Sequence, residues 1–273
     1  MLKQRVITAL LLLPLVMAAI FAAPADWFLM LLAIILLGAS WEYSRLAGVP
    51  GYPGGYLLVL IQAAIITTLF LYKHEWAASI SLYLGISCIA WVLLFIRLPL
   101  YRPDTEVDNN YRLVSFITAI ASVTTGWFAL GWVRTLTDGP WLILLLLLIV
   151  WAADTGAYFA GKSFGKRKLA PHISPGKTQE GLLGGLIAAP IVAMVAAYLM
   201  PIEAIEPLPL ILLSLVTALV SVGGDLMISM HKRTSGYKDS GKLLPGHGGI
   251  LDRLDSLLAA APFFALGLLI SGA

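Results

Sequence analysis

The stretch WLILLLLLIVWAADTGAYFA, Trp141–Ala160, decides the fold class. Wound as a helix, its 20 residues cover about the 30 Å of a bilayer core. A single carboxylate, Asp154, interrupts it. An ionised acid in an apolar span is costly unless it meets water, a cation or a partner, so Asp154 is expected to face an interior polar cavity. Working outward, eight more apolar runs lie near Val6–Ala23, Trp27–Trp41, Tyr56–Tyr72, Ala77–Ile96, Leu113–Trp132, Gly181–Met200, Pro207–Met230 and Leu254–Ser271. Composition agrees: 59% of the 273 residues are hydrophobic and 12% charged, against about 25% charged in soluble domains. Mean hydropathy is +0.89. Secreted enzymes, disordered chains and nucleic-acid binders are excluded on these grounds, and no nucleic-acid partner is expected. Cys88, the sole cysteine, rules out a disulfide framework within one chain. The first run could pass for a signal peptide, but Pro24-Ala25-Asp26-Trp27 leads straight into the second, so an uncleaved hairpin is expected.

The expected architecture is therefore all-α, a polytopic integral membrane protein of about nine transmembrane helices. Basic residues test that count, because Lys and Arg accumulate on the cytoplasmic side. With nine spans, 16 of the 18 cations fall on the face shared by the N-terminus and the even-numbered loops. Only Lys73 and Arg134 fall on the other. This asymmetry predicts a cytoplasmic N-terminus and a periplasmic C-terminus. Two parts are distinguished: transmembrane helices over 1–140, and transmembrane helices over 141–273 that carry a site at the cytoplasmic face.

Polar residues concentrate in the second part. Gly156–Ser163 satisfies the letters of a P-loop, but a leucine-rich span precedes it where the phosphate-cradling loop needs a strand. Lys166-Arg167-Lys168 reads as an anchor for anionic head groups. Ser174-Pro175-Gly176-Lys177-Thr178, ahead of the glycine-rich start of the next span, describes a shaped loop feeding a tightly packed helix. Asp225 and Ser229 are four apart, on one helical face inside a span, and an intramembrane carboxylate is a functional-site hypothesis by default. After His231-Lys232-Arg233 and Lys238-Asp239-Ser240-Gly241-Lys242 come Pro245-Gly246-His247-Gly248-Gly249 and Asp252-Arg253-Leu254-Asp255. Asp252 and Asp255 share a face at a helix start. They compensate the helix dipole in the plainest reading. Together with Asp225 they give carboxylates near one membrane face among basic residues, a set suited to Mg²⁺ carried with phosphates. Four scattered histidines without a cysteine partner do not suit zinc, so His247 is expected to bond or shape its loop.

The stretch Ser229 to Asp255 resembles the signature of phosphatidate cytidylyltransferases, the CDP-diacylglycerol synthases: Ser229, Lys232-Arg233, Lys238-Asp239, Gly241, Pro245, His247-Gly248-Gly249, Asp252-Arg253 and Asp255 stand at the family's spacing. Asp154-Thr155-Gly156-Ala157-Tyr158, Ser174-Pro175, Lys177-Thr178 and Glu180-Gly181 are similar to a second shared region. His231 departs from the family, where that position is usually apolar, and it puts local helix packing in question. The resemblance covers about residues 151–255 and implies an integral membrane nucleotidyltransferase of phospholipid biosynthesis. Such an enzyme joins CTP and phosphatidate into CDP-diacylglycerol and pyrophosphate with Mg²⁺, which Asp225 and Asp252 would hold, with room for a monovalent cation beside it.

The remaining expected roles follow from that chemistry. The attacking phosphomonoester is already anionic near neutral pH, since its second pKa is about 6, so no general base is required. Lys232, Arg233, Lys238 and Arg253 join the two aspartates as catalytic residues, offsetting charge. Asp154, Ser174, Lys177, Thr178, Ser229, Asp239, His247, Gly248, Gly249 and Asp255 are expected to bind substrate. The partners are CTP, phosphatidate and the bilayer, with a homodimer allowed, and the location a bacterial inner membrane. A CTP-dependent lipid kinase would instead activate a hydroxyl and release CDP. A transporter would spread polar residues through the bilayer depth, whereas these acids gather at one face.

Overall fold

The computed structural model describes residues 2–51, 53–202, 205–243, 246 and 248–272, with the side chains of 2–7 and 9 excepted. Its helices are α1 (Leu2–Phe21), α2 (Ala25–Leu46), α3 (Gly54–Leu71), α4 (Trp76–Phe95), α5 (Asn109–Thr135), α6 (Gly139–Phe164), α7 (Gln179–Leu199), α8 (Pro207–Thr234) and α9 (Leu251–Ser271). Eight helical stretches among the described residues are long and apolar enough to cross a membrane, and α1 contributes a shorter apolar stretch, Leu10–Phe21. The chain is an all-α, multi-pass membrane protein. Local chemistry sets the helix starts. The Asp108 carboxylate accepts from Tyr111 N at 2.7 Å ahead of α5, Thr178 Oγ1 accepts from Gly181 N at 3.0 Å ahead of α7, and α6 and α8 carry proline in the first turn, where no N–H is needed.

Burial separates inner from outer helices. In α5, α8 and α9, 56–61% of the spanning stretch is buried within the protein, against 22–28% in α3, α4 and α7. Inner helix α5 is joined to α2 and α3 through polar contacts that lipid cannot supply: Trp127 Nε1 donates to Leu29 O at 3.1 Å, and Gln62 Nε2 to Thr124 Oγ1 at 2.9 Å. Helices α6 and α7 meet differently, along a seam of small residues. A Cβ added to Gly185 would stand 2.6 Å from Ala153 O, one on Gly181 2.8 Å from Ala157 O, and one on Gly156 2.7 Å from Gly184 O. Backbone therefore lies on backbone, and only glycine admits that approach.

Contacts sort the loops onto two faces. Tyr111 Oη donates to Leu46 O at 2.8 Å, Ser235 Oγ donates to Leu46 O at 2.6 Å, and Arg233 Nε donates to Ile173 O at 3.1 Å. The even-numbered loops thus share one end of the bundle. At the other end Lys73 pairs with Asp26, and Arg134 Nη2 donates to Ala23 O at 2.6 Å. The two cations that the charge pattern set apart are the ones found there.

Between α6 and α7 lies an antiparallel hairpin, β1 (Lys168–Ala170) and β2 (Ser174–Thr178), with Lys168 opposite Thr178 and Ala170 opposite Ser174. Lys168 Nζ donates to Pro175 O at 2.8 Å, and Glu180, in the first turn of α7, accepts from the N–H groups of Lys166 (3.0 Å) and Arg167 (3.2 Å). The stretch expected as a shaped loop is a two-stranded clip fastened to α7.

Candidate active site

The site forms where the C-terminal ends of α6 and α8 meet β2 and the N-terminus of α9. Asp154 and Asp225 lie about 14–15 Å along the axis from the ends of their helices. Helix α9 begins at a matching depth, because a Cβ on Gly224 would stand 2.5 Å from Asp255 O and 2.6 Å from Ala259 Cβ. Ser240, Gly241 and Gly249, on the described parts of the connection between α8 and α9, therefore lie within the bundle. Irregular backbone is tolerated at such depth only when protein covers it or it lines a cavity. Ser240, Gly241 and Gly249 are all buried.

Two lysines bind the acids. Lys177 Nζ, from β2, lies 2.7 Å from Asp225 Oδ2, while Ser229 Oγ donates to Asp225 Oδ1 at 3.1 Å. Lys232 Nζ, near the end of α8, lies 2.8 Å from Asp252 Oδ1. Asp252 Oδ2 accepts two main-chain N–H groups, from Ser240 at 2.8 Å and Gly249 at 3.0 Å. Asp255 is buried, and its Oδ1 accepts from Ser256 N at 2.8 Å. Asp154 shares one cavity wall with Lys177 and another with Asp252 and Asp255. Asp154, Lys177, Asp225, Lys232, Asp252 and Asp255 thus form one electrostatic cluster.

Two cavities adjoin it. A cleft of about 330 Å³ is walled by Asp154, Tyr158, Lys162, Gly176, Lys177 and Thr178. A larger groove of about 500 Å³ runs among Leu13, Val16, Phe28, Leu31 and Trp151 and ends at Asp252–Leu257. Asp154 stands on the wall of both. The groove's rim residues Leu13, Val16, Leu31 and Trp151 are exposed, so it opens sideways toward lipid.

Other expected site residues sit farther out or act through backbone. Arg233 is exposed and ties α8 to the turn at Ile173. Lys238 and Asp239 are exposed on the loop, and Arg253 is exposed on the groove side. Ser174 is half-buried in β2, and Thr178 caps α7. Gly248 has φ +83°, a conformation that glycine adopts without strain, and Gly249 is pressed against Ser240 and Glu42. His247 and Pro245 lie outside the described residues. His231 is wholly buried: its Nδ1 lies 2.9 Å from Met227 O and so carries the proton, leaving Nε2 to accept from Arg97 at 3.4 Å. Tyr43 Oη stands 3.3 Å from Nδ1. The packing question at position 231 resolves into a polar junction of α2, α8 and the end of α4.

Sequence reading missed Glu42. It is buried on α2, and its Oε2 accepts from Ser240 Oγ at 3.0 Å and from Leu251 N at 2.9 Å. A lone acid directly after an apolar run was the available signal.

Residues 3–271 match the cytidylyltransferase family. The chain is 39% identical to a phosphatidate cytidylyltransferase of Pseudomonas aeruginosa, over 97% of this chain and 96% of the relative. It is 35% identical to one of Haemophilus influenzae, over 97% and 98%, and 37% identical to one of Staphylococcus haemolyticus, over 86% of each.

Proposed function

The chain belongs to the cytidylyltransferase family, and from that membership we infer that it is a phosphatidate cytidylyltransferase, converting CTP and phosphatidate to CDP-diacylglycerol and pyrophosphate. One observation carries the reading onto this molecule: a lysine-walled cleft and an apolar groove open to lipid meet at a single group of aspartates. A polyanionic nucleotide suits the first and an acyl chain the second.

The donor set suits Mg²⁺. The acids offer hard carboxylate oxygens, and Asp225 and Asp252 each stand beside a lysine that can meet phosphate. That is the arrangement for an ion that takes one or two carboxylates and completes its shell with water and substrate oxygens. Asp225 and Asp252 would hold it, and when bound it supplies charge neutralisation to the phosphates.

The protein's own groups align and neutralise. A phosphatidate oxygen forms a bond to the α-phosphorus of CTP, and the bond from that phosphorus to the bridging oxygen breaks, so the electron pair leaves with pyrophosphate. Lys177 and Lys232, already beside the acids, are assigned to the charge of the two reactants. The groove seats the lipid so that its head group reaches Asp252–Asp255, which converts part of the encounter into orientation. Arg233 is assigned to holding the hairpin against α8. The concentration of cations around the even-numbered loops supports placing this end at the cytoplasmic face of a bacterial inner membrane, where CTP is available.

Purified protein given radiolabelled CTP and phosphatidate is expected to place cytidine label in lipid and release pyrophosphate. Release of CDP with no cytidine label in lipid would instead assign a lipid kinase. In the same assay Lys166→Ala is expected to stay within about twofold of the parent, since Lys166 contributes a main-chain N–H to Glu180 and a surface charge. A large loss would move Lys166 from anchor to site.

A further inference from the structure

We propose that Glu42, in the N-terminal part of the chain, is a positioning residue that sets Asp252 for the reaction through Ser240. The inference rests on the reading of Asp252 as part of the site. Glu42 Oε2 gathers Ser240 Oγ and Leu251 N, groups 198 and 209 residues away in sequence. Ser240 N and Gly249 N in turn donate to Asp252 Oδ2. One serine therefore faces two acids, through its hydroxyl to Glu42 and through its amide to Asp252. Leu251, held by Glu42, is the residue immediately before Asp252.

Fit around the carboxylate is close. A Cβ on Gly241 would stand 2.9 Å from Glu42 Cγ, and one on Gly249 2.6 Å from Gly241 N, so both glycines are required for the loop to wrap this acid. Glu42 Oε1 is buried and has no hydrogen-bond partner among the described residues. An acid at this depth is costly, and filling the space calls only for an apolar side chain. What an apolar residue could not do is collect the hydroxyl of Ser240 and the amide of Leu251 on one oxygen. The start of the same loop is fastened separately, by Ser235 Oγ on Leu46 O at 2.6 Å and by the Arg45 guanidinium 4.8 Å above the Tyr237 ring. Glu42 governs the deep end, next to Asp252.

The test uses full-length protein in detergent and compares Glu42→Ala, Glu42→Gln, Ser240→Ala and the double variant Glu42→Ala/Ser240→Ala. Two readouts are taken: steady-state kinetics with CTP and phosphatidate, and amide hydrogen exchange. Glu42→Ala is expected to lower kcat by about 10- to 100-fold, the range for groups that orient a site residue, with KM for CTP changed less. Exchange should rise in 240–252 and stay at the parent level in α6 and α7. Glu42→Gln should recover most of the loss, because its amide oxygen accepts the same two hydrogen bonds. The double variant should be no worse than Glu42→Ala, since both changes cut one linkage. Unchanged kcat in a folded Glu42→Ala overturns the proposal. So do additive losses, or equal failure of both Glu42 variants with protection lost throughout the bundle. A parent protein inactive toward CTP and phosphatidate overturns the reaction and not the tether, which exchange of 240–252 in Glu42→Ala decides by itself.

Discussion

Asparagine at position 225 is expected to lower turnover by about three orders of magnitude while the protein still inserts and folds. The change keeps shape and removes one negative charge. Ser229 Oγ, 3.1 Å from Oδ1, can still donate to the amide oxygen, so α8 keeps its local bond. Lys177 loses the partner it holds at 2.7 Å, and the proposed metal loses a hard anionic donor. The check is the labelled-CTP assay at saturating Mg²⁺ beside a thermal melt in detergent. Near-parent activity removes Asp225 from the metal-binding role. Asp252→Asn should be equally inactive yet differ in kind. Oδ1 meets Lys232 and Oδ2 meets two N–H groups, so an amide must turn its NH₂ toward donors on one side or the other. Its loop should loosen in hydrogen exchange, whereas that of Asp225→Asn should not.

The second large effect is on assembly. Gly185→Val places a branched side chain where a Cβ alone would already stand 2.6 Å from Ala153 O. Neither backbone can yield without parting α6 from α7. That separation would carry Asp154 away from Lys177, which stands two residues ahead of α7. Overpacking in a tight interior costs about 1–3 kcal/mol and occasionally more, and contact with rigid backbone belongs at the upper end. The variant should lose most of its yield of folded protein and melt several degrees lower. Gly85→Ala in α4, whose added Cβ meets nothing within 4 Å, is the control and should melt with the parent. Equal melting of the two would show that the seam is not tight.

Much of this architecture could be read from the chain, for stated reasons. Apolar length gave the spans, and the pattern of cations sorted the loops onto two ends of the bundle, because both depend on composition rather than on partners. Boundaries failed where a partner neutralises a polar group. The second span was expected to end at Trp41, yet α2 continues to Leu46 because Glu42 is met by Ser240 and Leu251 from the far end of the chain. Asp225 with Ser229 was legible, as a pair four residues apart on one helix. The hairpin was not, since three- and five-residue strands containing Pro175 and Gly176 carry no alternating pattern. The P-loop letters of Gly156–Ser163 lie wholly within α6, where Gly156 and Gly161 pack against the start of α7.

The glycine seam also bears on how the protein assembles. Residues without rotamers surrender no side-chain freedom on contact, so the union of α6 with α7 is entropically cheap and has a single register. A hairpin of that kind is suited to form early, as a finished unit in the bilayer.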